Sequence, residues 1–193
     1  MTPRQLSPLV RWTASAGIIA LSLAMAPAAV AQTPTAAAAP SCSVSWGSAD
    51  RASGDLSAAA SITNVRSGRH TCYDRLVVNL SGRLSGYSVK YVDTVSEDGS
   101  GFPVALRGGA RLQVVVMAPS YDTANLATFT PANPSELTNV SGFSTFRQVA
   151  DGGSFEGQTT IGLGVRARLP YRAFIISGPG NASRLVIDVA HRW

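Results

Sequence analysis

The apolar positions fall first into one long uncharged block and then into short alternating runs. The block, Trp12 to Ala31, is preceded by Arg4 and Arg11 and centres on Gly17-Ile18-Ile19-Ala20-Leu21-Ser22-Leu23-Ala24-Met25-Ala26. Pro27 ends it, and Ala29-Val30-Ala31 places small residues where a signal peptidase cuts. Residues 1–31 therefore read as a signal peptide. The run is long enough to cross a bilayer, so an uncleaved anchor is the competing reading, which Pro27 and the alanine-rich end disfavour. Residues 32–41, Gln-Thr-Pro-Thr-Ala-Ala-Ala-Ala-Pro-Ser, hold nothing to bury and read as a flexible spacer. The segment 46–60 is rich in Ser, Ala, Asp and Gly, with Trp46 expected to dock on the domain.

From Ala59 onward the pattern has the two-residue period of half-buried strands. Ile62–Val65 is a first run. In Tyr73–Leu80, Leu76, Val78 and Leu80 share one face while Arg75, Val77 and Asn79 share the other. Tyr87–Val95, Val104–Leu106 and the continuously apolar Arg111–Met117 follow, each bounded by Ser-Gly, Asp-Gly or Gly-Gly turn signals. Residues 118–160 are looser and punctuated by Pro119, Pro131 and Pro134; a short strand is expected at Leu126–Thr130 and a helical turn at Ser135–Thr138. Arg147–Ala150 pairs with Gln158–Arg168, and Phe174–Ile176 pairs with Leu185–Val189. No sustained 3.6-residue period follows the leader. Short strands at regular spacing predict an all-β fold, a β-sandwich of mostly antiparallel strands spanning residues 42–193.

Removing the leader leaves 162 residues, enough for one domain with a real core. Of sixteen basic residues two lie in the leader, so fourteen stand against eleven acidic ones, a net charge of +3. That balance lacks the dense basic stripe of a nucleic-acid binder and suits an acidic extracellular partner. Cys42 and Cys72 both remain, and two thiols in an exported domain pair. A lipidated Cys42 is disfavoured because it lies eleven residues beyond Ala31 rather than directly after the apolar core.

Catalytic and metal signatures are missing. There is no His-Glu-x-x-His and no Gly-x-Ser-x-Gly, Lys90 has Tyr87 where Ser-x-x-Lys needs Ser, and no Walker or dinucleotide fingerprint occurs. With His70 and His191 as the only histidines, no zinc set is expected, nor any cofactor. Carboxylate pairs, Asp93 or Asp98 with Glu156, keep a glycan hydrolase open as the alternative. Asp74 and Arg75, neighbours on one strand, face opposite sides and reach cross-strand partners such as Asp188 or Arg184. Tyr87, Tyr91 and Tyr171 read as core residues with satisfied hydroxyls, or as platforms for sugar rings.

Three segments in order, His70-Thr71-Cys72-Tyr73-Asp74-Arg75-Leu76-Val77-Val78, Gly86-Tyr87-Ser88-Val89-Lys90-Tyr91-Val92 and Arg184-Leu185-Val186-Ile187-Asp188-Val189, resemble the AMIN-like domain of secreted actinobacterial proteins. Phe155-Glu156-Gly157 with Gly162-Leu163-Gly164-Val165 fits the same pattern, so the resemblance covers nearly all of 42–193. It implies a β-sandwich without catalysis, secreted or held in the cell envelope, that binds peptidoglycan or an associated anionic wall polymer. An envelope protein recognised by a sheet edge is the other implied partner, and membrane contact is limited to export. The chain departs from the family pattern by its longer middle, 118–160, and by carrying no appended enzyme. For the ligand the alternation in Gly164-Val165-Arg166-Ala167-Arg168-Leu169 offers Arg166 and Arg168 to solvent, with Arg172 close behind; guanidiniums grip carboxylates and phosphates bidentately.

Overall fold

The computed structural model describes residues 41–55 and 60–193. The leader and residues 32–40 of the spacer lie outside the described residues. Two antiparallel sheets make the domain. The five-stranded sheet has the order β1 (Arg51–Ser53), β4 (Tyr87–Val92), β7 (Ala110–Val116), β9 (Gln158–Val165), β8 (Phe146–Phe155). The four-stranded sheet has the order β10 (Tyr171–Ser177), β11 (Ser183–Ala190), β3 (Tyr73–Leu80), β2 (Ile62–Arg69). A small hairpin joins β5 (Val95–Ser96) to β6 (Pro103–Val104). No helix occurs among the described residues.

The sheets pack face to face because alternate residues of each are apolar. Leu76, Val78 and Leu80 of β3 and Leu185, Ile187 and Val189 of β11 meet Val89, Leu112, Val114, Ile161 and Leu163 of the opposite sheet in one continuous core. Three tyrosine hydroxyls cross between the layers. Tyr87 of β4 donates to Ala173 O of β10 at 2.8 Å, and Tyr171 of β10 donates back to Val89 O of β4 at 2.7 Å. Tyr91 donates to Leu169 O at 2.9 Å and accepts from Leu169 N at 3.0 Å. These tyrosines are structural, and their hydroxyls are satisfied as buried phenols require.

A second tie is ionic. Asp74, fully buried, accepts from Thr145 N (2.6 Å) and Phe146 N (3.1 Å) at the start of β8 and meets His191 Nε2 at 3.1 Å. It fastens β3 of one sheet to β8 of the other. Cys42 and Cys72 form a disulfide that pins the N-terminal segment to the β2–β3 turn; a cross-link over a separation of 30 residues contributes roughly 3–4 kcal/mol in the chain-entropy view.

The middle segment, 117–145, is long because it runs along one edge strand of each sheet, β2 and β8. On the β2 side Ile62 N donates to Pro119 O, and Ser67 Oγ meets Thr138 Oγ1. On the β8 side Leu137 N donates to Val149 O, and Asp151 N to Pro134 O. The strand expected at Leu126–Thr130 is instead a turn with one bridge, Tyr121 to Ala127, because Asp122 Oδ1 captures the N–H groups of Ala124 and Leu126. The helical turn expected at Ser135–Thr138 is a single turn closed by Glu136 N to Asn133 O; the next donor, Leu137 N, leaves for β8. The long run Tyr87–Val95 divides into β4 and β5, and β6 is shorter than the expected Val104–Leu106.

The outer face of the five-stranded sheet is partly covered. Gly162 and Gly164 of β9 leave room for residues 106–108 to cross it: a Cβ on Gly164 would lie 2.0 Å from Arg107 O. The four-stranded sheet has no such cover along its centre, and its outer face carries the charged residues described next.

Burial pushes the phenols of Tyr87 and Tyr91 up and that of Tyr171 up to about 12. In the unfolded chain Tyr171 ionises at its ordinary value near 10. The stability it contributes is therefore complete below pH 10 and is lost as pH rises from 10 through about 12. Urea titrations at stepped alkaline pH should show the midpoint falling across that window, with a shallower fall in Tyr171→Phe.

Candidate functional site: the outer face of the four-stranded sheet

Strand register sets three cross-strand rows on this face. The first runs Arg172, Asp188, Arg75, Gly68; the second Phe174, Val186, Val77, Arg66; the third Ile176, Arg184, Asn79, Asn64. Asp188 is fully buried between two arginines. Arg75 reaches it through Nε (2.6 Å) and Nη2 (2.9 Å), and Arg172 through Nε and Nη2, both at 2.8 Å. Two guanidiniums thus satisfy one carboxylate with three charge-assisted hydrogen bonds and one further ion-pair contact. The hydrogen bond to Asp188 pushes the pKa of Arg75 up, against the opposing pull of desolvation. The expectation that Arg75 pairs across strands rather than with Asp74 holds, with Asp188 as its partner.

Aromatic rings fix the same two arginines. The guanidinium of Arg172 lies 4.4 Å from the Trp46 ring and 5.2 Å from Phe174, and that of Arg75 lies 5.3 Å from Tyr73. Trp46 docks here as expected, edge-on to Tyr73 at 5.7 Å, and His70 stacks on the same tyrosine at 4.4 Å. Under these side chains Val77 and Val186 form a buried apolar floor on what would otherwise be an open surface.

Arg66 and Arg184 stand on either side of that floor and line one recess of about 250 Å³ with His70 and Arg75. Neither has an ion-pair or hydrogen-bond partner among the described residues. Four guanidiniums against one carboxylate leave the face with three positive charges. By strand spacing the Cα atoms of Arg66 and Arg184 are about 12 Å apart, close enough for both side chains to reach one ligand.

Of the three arginines singled out from the sequence, only Arg172 is on this face. The alternating strand expected through Leu169 stops at Val165, where β7 and β8, its partners on both sides, also run out. Arg166 and Arg168 lie in the linker to β10, and the apolar residues between and beyond them still turn inward. Arg166 Nη2 donates to His191 O at 2.6 Å. Arg168 donates to Ser48 O and Oγ and lies 4.9 Å from the Tyr91 ring. Arg66, absent from the sequence-based candidates, shows no local signal; register alone brings it beside Arg184.

The sequence suggests Asp93 or Asp98 with Glu156 as carboxylate pairs. Glu156 is exposed in the β8–β9 turn, Asp93 is exposed, and Asp98 Oδ1 accepts from Gln158 Nε2 at 3.1 Å. Glu97 and Asp151 instead share a recess of about 170 Å³. Asp151 is pushed above the ordinary carboxylate range by burial and then by the charge of Glu97, with a hydrogen bond from Gly153 N opposing. Pro103, Val104, Ala105, Pro134, Ser135 and Ala150 complete its lining. No group of three or more metal-ligating side chains occurs among the described residues.

Replacing Asp188 by Ala leaves two facing guanidiniums without their counter-charge. A fully buried pair broken this way costs about 3–5 kcal/mol; here the arginines are partly solvated, so about 2–3 kcal/mol is expected from denaturant unfolding.

A search of curated proteins and one of solved structures each return no match. The family model described as AMIN-like domain matches residues 60–191, which spans every strand from β2 to β11 and the whole arginine face except Trp46. The chain belongs to the AMIN-like domain family.

Proposed function

We propose that the domain is a non-catalytic module of the cell envelope that binds peptidoglycan or an associated anionic wall polymer through the outer face of its four-stranded sheet. Family membership points to the envelope, and the Cys42–Cys72 disulfide fits a location outside the cytoplasm. The observation that carries the reading is the pair Arg66 and Arg184, two uncommitted guanidiniums over an apolar floor in a face of net positive charge. Guanidinium forks grip carboxylates and phosphates bidentately, and wall polymers repeat such groups along their length. Arg75 and Arg172 are held flat by Asp188 and the aromatic rings, so the face needs little ordering on binding. Arg166 and Arg168 are assigned the smaller share of contacts, since each already donates to backbone carbonyls.

The test is co-sedimentation of the protein with purified cell wall at low and high salt. Arg66→Ser with Arg184→Ser should lower retention at low salt at least tenfold and leave the thermal midpoint within a degree or two. Wild-type retention should fall as salt screens the contacts. Loss of binding to wall stripped of its phosphate polymers assigns the ligand to those polymers; full retention assigns it to peptidoglycan carboxylates. Undiminished retention by the double variant contradicts the reading.

A further inference from the structure

A second groove, of about 700 Å³, shares no lining residue with the arginine recess. The middle segment builds most of it. Asn133, Glu136, Asn139, Val140 and Phe143 come from that segment, and Arg107 closes it from the chain crossing β9. Its size falls in the range of small-ligand sites.

The side chains are held in place before any ligand arrives. Asn133 Oδ1 accepts from Ser135 N at 3.0 Å, and Asn139 Oδ1 accepts from Ser141 N at 2.9 Å. Each amide oxygen is therefore spent on its own turn, and each side-chain NH2 is left without a partner among the described residues. Phe143 lies nearly parallel to the buried Phe146, at 13° and 5.9 Å, and lines the groove. Val140, buried, adds an apolar patch next to it.

The guanidiniums in this groove are already used. Arg107 Nη1 pairs with Glu136 Oε1 at 2.5 Å, and its Nη2 donates to Arg147 O at 2.9 Å. Arg147 turns back to the carbonyls of Phe143, Phe146 and Ser144. With both guanidiniums committed, the groove has none of the open cationic character of the arginine face. What remains on offer is an aromatic ring, two fixed amide donors, one carboxylate acceptor and a small apolar patch.

We propose that this groove binds a neutral N-acetylated hexosamine unit of a glycan chain. A pyranose presents a flat C–H face to Phe143 and hydroxyls at its rim to the asparagine amides. The acetamido group supplies a carbonyl acceptor for an Asn NH2, an N–H donor for Glu136 and a methyl for the Val140 patch. The inference rests on the envelope reading only in taking a wall glycan as the natural ligand. The two sites would then read different parts of one material, neutral sugar here and anionic groups on the arginine face.

The experiment is an NMR titration of the protein with chitotetraose and, separately, with cellotetraose, which lacks the acetamido groups. Chitotetraose should shift the backbone amides of Asn139, Ser141 and Phe143, and cellotetraose should bind at least tenfold more weakly. Asn133→Asp with Asn139→Asp keeps both turn acceptors while removing both donors. It should weaken chitotetraose binding at least tenfold with no fall in thermal midpoint. No shifts at millimolar chitotetraose, shifts confined to the Val77–Val186 floor, or equal binding by the double variant would each overturn the proposal. Chitotetraose carries no anionic group, so its failure alongside retained, Arg66- and Arg184-dependent wall binding rejects the groove alone.

Discussion

The face depends on the Asp188 carboxylate. A carboxylate with no solvent contact must be matched by positive charge and by hydrogen bonds to its lone pairs. Arg75 and Arg172 supply both from the strands on either side. In doing so they are held on the sheet face in the row next to the buried Val77 and Val186. The rings of Tyr73, Phe174 and Trp46 then pack on guanidiniums whose positions are already set. What is left over is two arginines and an apolar floor. The clamp therefore does more than stabilise: it determines which cations on the face are free.

Asp74 is the inward counterpart. One residue before Arg75 on the same strand, it faces the other way and receives the first N–H groups of β8 from the opposite sheet. The dipeptide Asp74-Arg75 thus ties the sandwich together on one side and organises the arginine face on the other, a direct result of the two-residue period. The three tyrosine hydroxyls and the middle segment, which joins the β2 edge of one sheet to the β8 edge of the other, add further ties between the layers. The same segment covers β2 and β8, which as bare edges would invite pairing with another chain.

Much of this was legible before any coordinates. Alternation located β3 and β4, a continuous apolar run located β7, and Asp188 was among the cross-strand partners expected for the Asp74-Arg75 pair. Two cysteines in a chain read as exported led to the expected disulfide, and the structure forms it. The reading failed where periodicity continued without a strand: Arg166 to Leu169 alternates, yet β9 ends once both neighbours do, since a strand needs partners for its N–H and C=O groups. It failed again where side chains captured the backbone, as Asp122 does at Ala124 and Leu126. Arg66 had no signal in sequence because only register brings it beside Arg184, and the Asn133–Phe143 groove had none because an irregular segment has no period that tells which side chains its turns bring together.

The central claim is that Arg66 and Arg184 are the free cations of this face and take the anionic ligand. Arginine Nε–H resonances report that most directly, because each guanidinium gives its own signal. A soluble wall-derived polyanion added to the labelled protein should shift and sharpen the Arg66 and Arg184 signals first, and leave those of Arg75 and Arg172, already bonded to Asp188, slow to exchange throughout. Shifts at Arg166 and Arg168 with Arg66 and Arg184 unmoved would contradict the account.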